Sequence, residues 1–147
     1  MNDKIIDGKA ISLQIKSEVK SGTDILISEK GITPGLAFIL AGEDPASKVY
    51  VRNKGKACSD LGFYSVTENL PENVSETELL KLIDKFNRDD KIHGILVQLP
   101  LPSHINEQKI IEAINYKKDV DGFHPLNTGK MVIGEKCFLP CTPYGIT

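Results

Sequence analysis

The sequence predicts an α/β fold, a three-layer sandwich in which a mostly parallel sheet is covered by helices on both faces. Two observations carry that prediction. Short, almost wholly apolar segments such as GLAFILA (35–41) and GILVQLPLP (94–102) have the composition of strands buried on both sides. Between them run stretches with apolar residues at helical spacing, and strands that alternate with helices imply right-handed crossovers and a parallel sheet. The 147 residues suffice for one domain with its own core and are too few for two of ordinary size.

From about Gly8 to Glu29, Ile11, Ile15, Val19, Ile25 and Leu26 fall close to helical spacing, interrupted by Gly22, so a helix or a helix pair is expected. Gly35 to Ala41 is the first strand. Asp44-Pro45 supplies an N-cap and a first-turn proline for a helix that runs to Gly62, where a C-terminal glycine belongs. FYSVTENL (63–70) reads as the second strand. Ser75 and Glu78 form a capping box ahead of Leu79, Leu80, Leu82, Ile83 and Phe86, which predicts a helix of about three turns. GILVQLPLP is the third strand, stopped by Pro100 and Pro102, and a short helix follows over 105–114. YKKDVDGFHPLNTGK and CFLPCTPYGIT, rich in turn formers, read as irregular. PCTPYGIT looks like the lead-in to more chain.

A net charge of −2, with Lys and Arg spread along the chain, offers no basic face for nucleic acid. The start MNDKIIDGKA has no apolar signal region and no apolar run approaches the roughly 20 residues of a membrane helix, so a soluble, cytoplasmic protein without membrane partners is expected. Cys58, Cys137 and Cys141 lack CxxC spacing, and His93, His104 and His124 fall into no metal-binding pattern, so reduced thiols and no metal are expected.

Ligands of open α/β sheets sit beyond the carboxyl ends of the strands, which singles out the AGEDPASKVY segment, the Val97-Gln98-Leu99-Pro100 strand end and the KDVDG turn. On a helix, Tyr50, Lys54, Ala57 and Leu61 share one face, with Val51 and Cys58 in the apolar stripe beside it. Lys54 at that border either loses part of its hydration, which disfavours the ammonium, or reaches its head group to water. Tyr50 is either a rim aromatic of the core or a ligand-facing ring. Gln98, the one polar residue of its strand, is satisfied by backbone or turned to a ligand. Asp119 and Asp121 fit a solvated turn or a ligand contact. Ser47 fits a helix-start hydroxyl, and Cys141 is read as structural. Neither G-x-G-x-x-G nor a Walker pattern is present.

Four segments in register, PGLAFILAGEDPASKVYVRNKGKACSDLGF, GILVQLPLP, KDVDGFHPLNTGK and FLPCTPYGI, together with the opening IIDGKAIS, carry a resemblance over essentially the whole chain. The chain resembles the amino-terminal catalytic domain of bifunctional methylenetetrahydrofolate dehydrogenase/methenyltetrahydrofolate cyclohydrolase. The resemblance implies NADP-dependent oxidation of 5,10-methylenetetrahydrofolate to 5,10-methenyltetrahydrofolate, then hydrolysis to 10-formyltetrahydrofolate. It gives Lys54 the cyclohydrolase proton transfers, pairs Gln98 with it, stacks Tyr50 on the folate and sets Asp121 on the pterin edge. Ser47, Val97, Leu99 and Pro100 fall on positions near the substrate. Family members continue into a Rossmann-type domain that binds NADP or NAD and form homodimers. That domain is expected to be absent from these 147 residues, which would then perform no hydride transfer alone. A non-catalytic folate-binding module is the alternative. A short-chain dehydrogenase, which also uses Tyr-x-x-x-Lys, needs a glycine-rich cofactor loop that residues 1–49 lack.

The chemistry implied is coherent. Water adds to a cationic, amidinium-like carbon, so the site needs a base to take a proton and then an acid to help the ring nitrogen leave. One amine can serve both steps. An amide can accept from its ammonium or donate to the free amine. A carboxylate can accept two parallel N–H bonds from a pyrimidine edge.

Overall fold

In the computed structural model, which describes residues 6–145, the all-apolar segment 35–41 is the middle of a parallel sheet. It forms β1 (Gly35–Ala41), flanked by β2 (Tyr64–Leu70) and β3 (Gly94–Val97) in the order β2-β1-β3, both pairs parallel. The remaining elements are helices α1 (Gly8–Lys30), α2 (Pro45–Leu61), α3 (Glu76–Arg88), α4 (Glu107–Ala113), α5 (Pro125–Ile133) and α6 (Cys141–Tyr144). Ile5 of the opening motif and Ile146 of FLPCTPYGI lie outside the described residues.

Side-chain alternation along β1 splits the core in two. Ala37, Ile39 and Ala41 join Leu79, Ile83 and Phe86 of α3, Ile110 of α4, and Ile95 and Val97 of β3. Phe38 and Leu40 face the other way, onto Val51 and Cys58 of α2 and Leu96 of β3. With α1 packed on α2, helices cover both faces of the sheet, as the strand–helix alternation predicted.

The predicted helix signals act where they were read. Asp44 accepts from the Ser47 N–H at 2.7 Å, with Pro45 opening α2 and Gly62 closing it at φ 82°. The Ser75–Glu78 capping box is complete: the Glu78 N–H donates to Ser75 Oγ at 3.2 Å and the Ser75 N–H to Glu78 Oε2 at 3.0 Å.

Of the helix or helix pair expected first, the single helix forms, and three local expectations are corrected. Gly22 does not divide the first helix; α1 runs unbroken from an Asp7 cap to Gly31, since an interior glycine costs only about 1 kcal/mol. β2 begins at Tyr64, one residue later than read. β3 ends at Val97, because β1 pairs with it only from Leu36 to Ile39 and the chain then turns through the cis Leu99–Pro100 bond. The tail read as irregular contains α5, started by His124 and Pro125 and ended by Gly134 at φ 76°, and the short α6.

Candidate active site

Alternation continues past the end of β3. Ile95 and Val97 enter the α3 side and Leu96 the α2 side, so Gln98 follows Leu96 toward α2. There it meets Lys54, one turn after Tyr50 on the same helical face. Lys54 Nζ donates to Gln98 Oε1 at 3.3 Å, at the long end for such a bond. Gln98 is held from both ends: its N–H donates to Ile39 O at 2.8 Å and its Nε2 to Leu99 O at 2.8 Å. Its side-chain oxygen is the acceptor that meets the ammonium.

These groups line a cleft of about 610 Å³. Leu36, Phe38 and Leu96 give it an apolar floor, Tyr50 and Phe123 stand at its side, and the 140–143 segment closes another edge. Tyr50 is 60 % exposed, which leaves its ring face open to a flat ligand. Asp121, half-buried, also lines the cleft. Burial pushes its carboxyl above the usual carboxylate range, the Lys54 charge pulls it back, and Asp119 adds a smaller upward push. An ammonium, an amide oxygen, a carboxylate and an aromatic face therefore converge in a mostly apolar hollow. That set suits a planar, polar-edged molecule needing proton transfer.

The other candidates lie differently. Ser47 is buried in the first turn of α2, its N–H bonded to Asp44. Val97 is in the core on the α3 side, and Leu99 and Val97 line a small neighbouring hollow that shares Asp121 and Phe123 with the cleft. Pro100 is exposed. Sequence reasoning missed Leu36, Phe38 and Phe123 as lining, although alternation in GLAFILA already put Leu36 and Phe38 on one side. Nothing in the sequence marked Pro140 to Pro143 as a cleft wall. Cys141 lies in that wall, exposed, while burial pushes the Cys58 thiol up.

Among the described residues no group of three or more His, Cys, Asp or Glu could hold a metal, and no helix is long and apolar enough to cross a membrane.

The family model described as tetrahydrofolate dehydrogenase/cyclohydrolase, catalytic domain, matches residues 6–121. The chain belongs to this family. The "Bifunctional protein FolD" of Moorella thermoacetica is 59% identical over 145 residues, covering 99% of this chain and 51% of that protein. The one from Geotalea daltonii is 59% identical over 143 residues, with 97% and 51% covered. The chain thus spans about half the length of the curated relatives it matches. Among solved structures, the bifunctional FolD of Campylobacter jejuni superposes with a TM-score of 0.92 at 52% identity, over 95% of this chain and 50% of that one. The dehydrogenase-cyclohydrolase of Trypanosoma brucei, solved with NADP and an inhibitor, gives 0.92 at 34% identity, over 97% and 49%. The family expected from the four motifs and the α/β fold are both confirmed.

Proposed function

We propose that the cleft binds a tetrahydrofolate derivative and that Lys54 moves the protons in the hydrolysis of 5,10-methenyltetrahydrofolate to 10-formyltetrahydrofolate. The same protein, on this reading, oxidises 5,10-methylenetetrahydrofolate with NADP, as the names of its relatives suggest. The observation that carries the proposal is the Lys54–Gln98 contact at 3.3 Å inside a cleft that also presents Asp121.

Water attacks the cationic methenyl carbon as the amine of Lys54 takes one of its protons. The resulting ammonium, held by Gln98 Oε1, returns that proton to the ring nitrogen as the carbon–nitrogen bond breaks, while the added hydroxyl becomes the formyl oxygen and releases its own proton to water. Tyr50 stacks on the flat ring system, and Asp121 accepts from the pyrimidine edge.

NADP would supply the hydride acceptor for the oxidation. The described residues do not fit it: the helix start after β1, where a pyrophosphate would sit, is capped by the Asp44 carboxylate. A homodimer in a cytoplasmic setting accompanies this reading. Exposed apolar side chains on α1 and α5, such as Ile15 and Val132, support the first, and three unpaired cysteines the second.

The test is Lys54→Met, assayed for methenyltetrahydrofolate hydrolysis and separately for folate binding. Hydrolysis should fall by about 10²-fold or more while binding stays measurable. Full retention of hydrolysis would reduce the cleft to a binding module.

A further inference from the structure

The Asp121 carboxylate stands in a turn that another carboxylate holds together. Asp119 is 2% exposed, and among the described residues no cation forms an ion pair with it. Three donors meet it instead. The Gly122 N–H donates to Oδ1 at 3.1 Å, while the His124 N–H and Asn127 Nδ2 donate to Oδ2, each at 2.8 Å. Asn127, buried in the first turn of α5, also donates to Tyr116 O at 2.8 Å. Asp119 is itself registered on the sheet by a parallel bridge to Ile95, whose N–H donates to Lys118 O at 2.7 Å.

This arrangement fixes where the next residues go. With residue 119 pinned to β3 and residues 122 and 124 pinned to its carboxylate, Val120 is directed onto Leu36 and Phe38, and Asp121 into the cleft. An acceptor-only group suits three converging donors, since an amide would turn its own N–H₂ against one of them. A buried charge without a cation is costly, and a turn alone could be made with less.

We propose that Asp119 is a positioning residue that acts on folate binding through Asp121. The proposal rests on the reading of Asp121 as a folate-edge acceptor and adds a residue that touches no ligand. Because both residues belong to one rigid turn, loss of the Asp119 contacts should cost affinity only where Asp121 is present to be misplaced.

A double-mutant cycle tests this on the full-length protein, with 5-formyltetrahydrofolate as the probe in calorimetric titration. Asp119→Asn should weaken binding about tenfold in the natural background and less than about twofold in Asp121→Ala. Equal weakening in both backgrounds, or none in the natural one, overturns the proposal. Unchanged affinity in Asp121→Ala alone removes the folate-edge role itself, a distinct result that takes this proposal with it. Should Asp119→Asn fail to fold, Asn127→Ala, which deletes one donor and keeps the carboxylate, carries the same cycle with the same outcomes.

Discussion

Lys54 Nζ and Gln98 Oε1 lie 3.3 Å apart although 44 positions separate them in the chain. The contact exists because a helical face and a strand parity point at the same spot: α2 sets Lys54 over the sheet, and alternation after Leu96 turns Gln98 up to meet it.

Gln98→Leu keeps the bulk and deletes the acceptor. A hydrogen bond to a charged group is worth about 1.5–3 kcal/mol, so methenyl hydrolysis should slow by roughly 10- to 100-fold. Steady-state kinetics should show the loss in kcat rather than in folate KM, since the amide touches the amine and not the pterin edge.

The raised position of Asp121 makes two pH predictions. Burial is its main cause, so ionising this group costs the folded state more than the unfolded one. A group whose folded pKa is raised contributes stability that is complete below its unfolded pKa and is lost as pH rises through the folded value. Asp121→Asn should therefore raise the melting temperature at neutral pH, with the gain vanishing once the pH falls below the usual carboxylate range. Folate affinity should move oppositely, declining on acidification at a higher pH than an ordinary aspartate would give.

Gly94 admits the turn to the sheet. A Cβ there would lie 2.4 Å from Leu36 Cδ2 and 2.5 Å from Val120 Cγ1. Gly94→Ala should cost about 1–3 kcal/mol as overpacking, read as a lower urea midpoint with unchanged slope. Because Val120 precedes Asp121, folate binding should weaken too.

Two changes in α3 separate packing from capping. Ile83 is fully buried, and Ile83→Ala should cost about 2–5 kcal/mol. Ser75→Ala, which removes the acceptor of the Glu78 N–H, should cost about 1 kcal/mol. Both are to be measured by urea denaturation, and neither should alter kcat.

What could be read from the residues was what local rules decide. GLAFILA could only be a doubly covered strand, and Asp44-Pro45 with Gly62 bounded α2 to the residue. The Y-x-x-x-K spacing put Tyr50 and Lys54 on one face without any knowledge of the sheet. α5 escaped because its helical signals, His124-Pro125 and Gly134, enclose a segment of only nine residues, most of it exposed and set among turn formers. Asp119 escaped for a different reason. Its bond to Gly122 is a local turn contact that its spacing suggests, but its burial and its bond to Asn127 depend on where α5 packs. The walls made by 140–143 and Phe123 are likewise products of tertiary placement.

The alternation along β3 also bears on how this chain can vary. Removing one residue between Gly94 and Gln98 would present the isobutyl group of Leu99 to the ammonium and bury the amide beneath α3. Length changes here should survive in natural variants only in pairs, which keeps parity. Deep sequencing of a deletion library would display that even–odd rule directly.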